Sequence, residues 1–422
     1  MKATRLDKVT PLRYCRPVFW NRFHIADVRD SFPVPSGSLL FVFRGVEPGW
    51  ATPMEHHEKE TNMTTGTRFL QDILRQPAEI KRAIDYLAGD GRDAMREARS
   101  LIRSTREVIV TGMGASWHAV LRAGALFYLG ERPVFMQEAG ELLHFASIPR
   151  GCVIVAISRT GRSIEIVKLI AKAAASGASI IGITNCADSP LAKESAVAIV
   201  VPTQLDHGIS AATYSTLSLA ASALTDSAHV GFESVASSLL RTVSEAEPRL
   251  EVWRQQLDQS SWLAAGQPYY FLAGGPSLGN CYQARLLWEE GVKMPATAMS
   301  TSSFRHGPQE IVRSGMRFCL WIDQSQMRDE DLSVADDLRE LGASVMLIGE
   351  KLPPNAADLV CELPTSPPCW QSVVDILPIQ LAAESLSRKS GVDCDSFRIC
   401  SYIVEDESGL LHKQAELSPD AN

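Results

Sequence analysis

The sequence feature that most constrains the fold is a short apolar run that ends in a turn rich in hydroxyl groups. Residues 153–157, Val-Ile-Val-Ala-Ile, are nearly all β-branched, which is typical of a strand buried on both faces of a parallel sheet. Ser158, Thr160 and Ser163 follow at once, and from Ile164 the apolar residues recur at helical spacing. The hydroxyls therefore stand at the start of a helix, where unpaired N–H groups and the helix dipole attract an anion. The simpler alternative is that Ser163 is only an N-cap and the others are only turn residues.

The composition is that of an ordinary globular protein, with 45% of the 422 residues hydrophobic and 21% charged. A chain of this length has room for two domains with full cores. The formal net charge of -8 provides no basic field for nucleic acid or an anionic membrane, and no apolar run is long enough to span a bilayer. Nine scattered cysteines without a C-x-x-C pair indicate reduced thiols, so we expect a cytosolic protein without a metal site.

Further strands alternate with helices in the same half of the chain. The apolar segments 108–111, 179–184 and 197–201 each predict a strand, with helical patterns between them. This alternation indicates a doubly wound α/β lobe that binds its ligands at the carboxyl ends of parallel strands. Gly112-Met-Gly-Ala-Ser116 follows the first strand, but Trp117 stands where a dinucleotide fingerprint has its third glycine. A Rossmann cofactor site is therefore disfavoured.

The second half of the chain repeats the first. Gly114 aligns with Gly275 and, at nearly the same offset, Gly177 aligns with Gly342. The repeat predicts two tandem doubly wound parallel-sheet lobes, three-layered and flavodoxin-like, that arose by duplication. The second copy lacks the hydroxyl-rich turn, because Asp323 follows its corresponding strand and would repel a phosphate. We therefore expect the first lobe to bind an anion and the second lobe to supply other groups.

These patterns divide the chain into five parts. Residues 1–62 show no sustained period and are expected to lie outside the fold, either as an over-long translated start or as a partner-binding arm. The other parts are the N-terminal helices with the first lobe, a helical connector, the second lobe and a tail, at 63–235, 236–260, 261–391 and 392–422. Pro77 is expected to separate two short helices at the start of the first lobe.

Two residues of the second lobe have the chemistry of a proton-transfer pair. Glu290 lies near the end of a predicted helix, where its carboxylate would face the edge of the sheet, and His306 lies in a loop before Pro308. A carboxylate and an imidazole are common acid–base groups at neutral pH. The alternative is that Glu290 is a solvated helix residue and His306 a turn histidine, because catalytic pairs are defined in space and not in sequence.

The order of these motifs resembles the sugar isomerase (SIS) family in its double-lobed form, from about residue 63 to residue 407. That form includes the isomerase half of glucosamine-6-phosphate synthase and the amino-sugar-phosphate deaminases and deglycases. The resemblance is carried by residues 69–77, 112–116, 158–163, Glu290, 304–308 and 391–395.

The resemblance implies roles for the candidate residues. The phosphate of a hexose 6-phosphate would be bound by Ser116, Ser158, Arg159, Thr160 and Ser163, with Arg159 in place of a glutamine common in the synthase. Glu290 would move a proton between C1 and C2 of the sugar. His306 would open the sugar ring, often from the other subunit, so a homodimer with a shared active site is expected.

Three departures from the synthase pattern narrow the expected activity. We expect no glutaminase domain before Met63. By the same resemblance, Tyr402 stands where the synthase has a Schiff-base lysine, and a second lysine is replaced near Thr213. Because a phenol forms no imine, the resemblance favours a glutaminase-free isomerase or deaminase of a hexosamine 6-phosphate. A fructosamine-6-phosphate-type deglycase, a plain aldose–ketose phosphate isomerase and a non-catalytic sugar-phosphate sensor remain alternatives. Proton transfer and hydrolysis need only side chains and water, so no cofactor is expected.

Overall fold

The computed structural model describes residues 66–225, 227, 231–324, 326–353, 355–407, 409 and 410. The predicted extension at 1–62 and the end of the predicted tail lie outside these residues. Two five-stranded parallel sheets, each flanked by helices, make up the described part. The predicted fold class, two tandem doubly wound α/β lobes, is confirmed.

The first lobe contains a sheet in the order β2-β1-β3-β4-β5. Its central strands are buried along their whole length, as their β-branched runs predicted. The elements of this lobe are α1 (Arg68–Ala88), α2 (Arg92–Ser104), β1 (Val108–Gly112), α3 (Ala115–Leu129), β2 (Phe135–Met136), α4 (Ala139–His144), β3 (Val153–Ile157), α5 (Ile164–Ser176), β4 (Ser179–Thr184), α6 (Pro190–Glu194), β5 (Val197–Val200) and α7 (Ala212–Ala223).

Two helices, α8 (Phe232–Ala246) and α9 (Arg249–Gln259), connect the first lobe to the second. The second sheet has the order β7-β6-β8-β9-β10 when it is read from its β7 edge. Its elements are β6 (Tyr269–Ala273), α10 (Leu278–Leu287), β7 (Ala296–Ser300), α11 (Thr301–Phe304), β8 (Arg317–Trp321), α12 (Arg328–Glu340), β9 (Ser344–Gly349), β10 (Leu359–Glu362) and α13 (Leu377–Lys389).

The two sheets have the same strand order when equivalent strands are matched. The glycines that aligned in the sequence also share a backbone conformation: φ is 52° at Gly114 and 53° at Gly275, and 71° at Gly177 and 83° at Gly342. Side chains with a Cβ rarely adopt these positive φ values. The equivalent turns therefore explain why glycine recurs at these positions, and they agree with the predicted repeat.

The prediction that Pro77 separates two helices is wrong, because α1 continues through this residue. A proline inside a helix costs about 3 kcal/mol, since it removes one backbone hydrogen bond and crowds the preceding turn. Here Phe69, Ile73, Ile80 and Ile84 are buried on either side of it. Each buried side chain contributes about 1.5–3 kcal/mol, so packing of the apolar face outweighs the local cost.

The lobes share a close contact between α3 and α10. A Cβ added at Gly279 would lie 2.5 Å from the carbonyl oxygen of His118 and 3.0 Å from Cβ of Arg122. Next to this contact, the buried Tyr214 hydroxyl donates to Asn280 Oδ1 at 2.6 Å. The two helices therefore pack with almost no space between their backbones, and the position of one lobe on the other is fixed.

No helix in the described segments is both long and apolar enough to cross a bilayer. The cysteines in the described part of the chain are free thiols. Burial raises the pKa of the Cys281 thiol above its ordinary value, so this thiol stays protonated and unreactive at neutral pH.

Gly279→Ala is expected to destabilise the protein by about 1–3 kcal/mol, because the new methyl group forces two packed helices apart. The free energy of urea unfolding measures this effect. Gly274→Ala is the matched control, since φ is -126° at Gly274 and no atom lies within 4 Å of the added Cβ. Equal unfolding free energies for the two variants would show that the contact between α3 and α10 accommodates an added methyl group.

Candidate functional site

A cavity of about 260 Å³ lies at the carboxyl edge of the first sheet. It has contributions from the turns after β1 and β3, from the second lobe, and from the tail. Six of the seven predicted site residues line it: Ser116, Ser158, Arg159, Thr160, Ser163 and Glu290. The structure thus brings the hydroxyl-rich turn and the carboxylate together across the junction of the two lobes.

The turn after β3 presents its hydroxyls to this cavity. Ser158 and Thr160 are buried, and their Oγ atoms accept hydrogen bonds from the N–H groups of Gly161 at 3.1 Å and Arg162 at 3.4 Å. Because these oxygens act as acceptors within the turn, their hydroxyl protons can be directed to a ligand. Ser163 is the N-cap residue of α5, but its side chain makes no capping hydrogen bond. Capping of α5 therefore does not explain why hydroxyl-bearing residues occur in this turn.

Glu290 lies on a single π-helical turn, Trp288–Val292, that follows α10. Burial raises the pKa of Glu290 from 4.5 to about 7, while the positive charges of Arg159 and Lys293 oppose the shift and Glu289 adds to it. The Lys293 ammonium donates to the backbone carbonyl of Glu290 and, at 3.1 Å, to that of Ser396. The carboxyl group can therefore both accept and donate a proton near neutral pH.

The Arg159 side chain donates hydrogen bonds to three acceptors within the protein. Its Nη1 donates to the Gly208 carbonyl at 3.1 Å and to Ser210 Oγ at 2.9 Å, and its Nη2 donates to the Tyr402 carbonyl at 2.9 Å. Its guanidinium carbon also lies 4.0 Å from the centroid of the Tyr402 ring. Three of the five N–H groups of an arginine are thus engaged, and the predicted phosphate-binding role of Arg159 stays a prediction.

The tail forms one wall of the cavity, which the sequence motifs did not predict. Phe397, Cys400, Ser401, Ile403 and Val404 line the cavity together with Tyr402, and the loop before α7 adds Gly208 and Ser210. The only sequence signal for this wall was the alignment of Tyr402 with a catalytic lysine. The other residues have neither a motif nor a periodic pattern.

His306 is the one predicted site residue that does not line the cavity. It is exposed in the turn after α11, where its backbone N–H donates to the Ser303 carbonyl at 3.1 Å. A single chain therefore does not bring His306 and Glu290 into one cavity.

Comparisons with known proteins agree with this architecture. Residues 101–225 match the family model for the SIS domain. A glutamine–fructose-6-phosphate aminotransferase from Pyrococcus horikoshii is 22% identical over 370 residues, which is 84% of this chain and 61% of that protein. Another from Sulfurisphaera tokodaii is 27% identical over 347 residues, covering 80% of this chain and 56% of that protein. The chain thus spans about three fifths of the length of these relatives.

Solved structures share the fold of both lobes. The C-terminal domain of the glucosamine–fructose-6-phosphate aminotransferase from Francisella tularensis superposes with a TM-score of 0.68 at 19% identity and covers 79% of this chain and 99% of that domain. A glucosamine-6-phosphate deaminase from Thermotoga maritima gives a TM-score of 0.65 at 20% identity, with 80% and 99% covered. The two parallel-sheet lobes of this chain therefore have the fold of these solved structures.

The predicted resemblance to the SIS family is therefore confirmed: residues 101–225 match the SIS domain model, and solved structures share the two-lobed fold. Its relatives by sequence carry the name glutamine–fructose-6-phosphate aminotransferase.

Glu290→Gln is expected to remove a pH dependence from the stability of the protein. Because the pKa of Glu290 rises from 4.5 to about 7 on folding, the folded protein keeps a proton that the unfolded chain has lost between these pH values. The unaltered protein therefore loses stability as the pH rises from about 4.5 to about 7. The unfolding free energy of the variant relative to the unaltered protein should grow across this window by at most about 3 kcal/mol, and then stay level.

Urea unfolding between pH 4.5 and 9 measures this difference. Glu289→Gln is the control, since Glu289 is adjacent but exposed, and its substitution should give no such trend. A difference for Glu290→Gln that is constant over the whole pH range would contradict the raised pKa.

Proposed function

We propose that this protein isomerises or deaminates a hexosamine 6-phosphate. The observation that carries the proposal is that Glu290, a carboxyl group with a pKa of about 7, lines the same cavity as the hydroxyl-rich turn after β3. The names of the relatives, which contain fructose 6-phosphate, support a phosphorylated sugar as the ligand.

The phosphate group fits best against the turn after β3. Ser116, Ser158, Thr160 and Ser163 supply hydroxyl donors, and the first turn of α5 adds the positive end of the helix dipole. Charge-assisted hydrogen bonds from several hydroxyls bind a phosphate strongly. The sugar carbons then extend toward Glu290 on the opposite lobe.

The proposed chemistry needs one group that accepts and returns a proton. Glu290 removes the proton from C2 of the open-chain amino sugar, and the electron pair moves through C1 to the aldehyde oxygen. Return of the proton to C1 leaves an imine at C2, which water hydrolyses to the ketose phosphate and ammonia. Every step is a proton transfer or a hydrolysis, so the reaction needs no external oxidant or reductant.

A homodimer would complete this site. His306 is exposed and lies outside the cavity of its own chain, as expected for a residue that reaches the active site of a partner subunit. In that position the imidazole would transfer a proton to the ring oxygen and open the sugar ring.

A second cavity favours one alternative, the cleavage of a sugar phosphate that carries a substituent on its nitrogen. This cavity, of about 420 Å³, is lined by Glu290, Phe397 and Cys400, which also line the first cavity, and by Met294 and Ile399. A substituent on the nitrogen next to Glu290 would have space there. A plain aldose–ketose isomerase and a non-catalytic sensor also remain alternatives.

Glu290→Gln is expected to lower turnover of glucosamine 6-phosphate by about 100- to 10,000-fold, the contribution of a positioned general base. Glutamine keeps the shape and hydrogen bonds of the side chain but accepts no proton. Ammonia release and ketose phosphate formation, measured together with purified protein, report the reaction. Glu289→Gln is the control and should keep its activity.

The two products also separate the alternatives. Release of the substituted amine from an N-substituted sugar phosphate, with no ammonia from glucosamine 6-phosphate, would identify the deglycase. Ketose phosphate formed only from a nitrogen-free aldose phosphate would identify the plain isomerase. Tight binding without any product would identify the sensor. Full activity in Glu290→Gln would refute the role of Glu290. A mixture of inactive Glu290→Gln and His306→Ala proteins should regain activity if the active site is shared between subunits.

A further inference from the structure

Two residues of the cavity wall that are far apart in the sequence contact each other. Arg159 lies in the turn after β3 and Tyr402 in the tail, and the Arg159 guanidinium carbon lies 4.0 Å from the centroid of the Tyr402 ring. We propose that Arg159 and Tyr402 form a latch that holds residues 396–404, here named the strap, as a closing wall over the cavity. Arg159 is then a positioning residue, and the ligand retained behind the strap is the sugar phosphate of the proposed function.

The Arg159 side chain has the geometry of an anchor. One nitrogen, Nη2, donates to the Tyr402 carbonyl at 2.9 Å, while Nη1 donates to the Gly208 carbonyl and to Ser210 Oγ. The guanidinium thus connects the strap to the loop before α7 through hydrogen bonds and through its stacking contact. A lysine, which is a point charge without a planar face, reproduces only part of this set.

The Tyr402 side chain provides the second half of the latch. Its hydroxyl donates to the Asp206 carbonyl at 2.9 Å. The Asp206 carboxylate is itself buried, where it accepts from the N–H groups of Ala211 at 2.9 Å and Thr213 at 3.0 Å. Tyr402 is therefore fastened to a rigid loop that caps the start of α7.

Both ends of the strap are bound as well. The Val404 carbonyl accepts from the N–H group of Ile164, the first residue of α5, at 3.0 Å, and the Ser396 carbonyl accepts from Lys293 Nζ at 3.1 Å. The strap therefore joins the helix end that faces the phosphate site to the turn that carries Glu290. A ligand in the cavity is covered when the latch is closed, and its exit requires the strap to open.

Arg398 is an exposed residue of the strap, so the rate of proteolytic cleavage after it measures how often the strap opens. Trypsin cleaves after an arginine only when the surrounding backbone leaves the fold. With Arg159→Gln or Tyr402→Ala, we expect cleavage after Arg398 to accelerate about tenfold, the effect of losing the stacking contact and its hydrogen bonds. Mass spectrometry identifies the released peptide that begins at Ile399.

Matched variants separate the latch from general destabilisation. Tyr402→Phe keeps the ring and should accelerate cleavage less than Tyr402→Ala, and Arg159→Lys should restore part of the protection. In the double variant Arg159→Gln/Tyr402→Ala, cleavage should accelerate by less than the product of the two single effects, because both substitutions remove the shared stacking contact. Cleavage after Arg254 in α9 is the internal control and should not change. Equal cleavage after Arg398 in all variants, or acceleration at both arginines, would overturn the proposal.

Ligand binding gives a second readout. With Tyr402→Ala, glucosamine 6-phosphate should dissociate about tenfold faster because the wall is open, while the affinity for inorganic phosphate should stay unchanged. Loss of inorganic phosphate binding in this variant would contradict a role of Tyr402 in the wall alone. If the unaltered protein binds neither probe, the proposed function fails, and the cleavage experiment still decides whether the latch exists.

Discussion

The close contact of α3 with α10 at Gly279 is the constraint on which the rest of the site depends. With only 2.5 Å between the position of an added Cβ and the His118 carbonyl oxygen, the second lobe has a single position against the first. The π-helical turn that follows α10 then places Glu290 at the carboxyl edge of the first sheet. The site thus combines an anion-binding turn from one lobe with a carboxyl group from the other.

Burial and nearby charge act on Glu290 in opposite directions. Burial alone favours the protonated form, and the cations Arg159 and Lys293 limit the shift so that the pKa is about 7. Arg159 also holds the strap through Tyr402. One guanidinium therefore contributes both to the proton affinity of the proposed base and to the wall that covers its ligand. The second lobe lacks the anion-binding turn, because Asp323 stands where the first lobe has its hydroxyl groups. The two lobes therefore contribute different groups to the site.

Local signals explain what could be predicted from the sequence. The β-branched runs gave the bounds of β3 and β4 as the structure has them. The polar turns at the strand ends identified five residues of the cavity, and the helix end in the second lobe identified the sixth, Glu290. The continuous α1 was missed because packing of buried isoleucines outweighs the local effect of Pro77. The strap was missed because Arg159 and Tyr402 are distant in sequence, and the residues around Tyr402 have no local pattern that indicates the contact. Whether His306 reaches the cavity of a partner subunit likewise depends on how two chains assemble, and no local sequence pattern indicates that arrangement.

Calorimetric titration of glucosamine 6-phosphate and of unphosphorylated glucosamine tests the central claim, that the cavity after β3 binds a sugar phosphate. The phosphorylated sugar should bind more tightly to the unaltered protein. In the Ser158→Ala/Thr160→Val variant this preference should fall, because each lost charge-assisted hydrogen bond contributes about 1.5–3 kcal/mol. Equal affinities of the unaltered protein for both sugars, or an undiminished preference in the variant, would contradict the account.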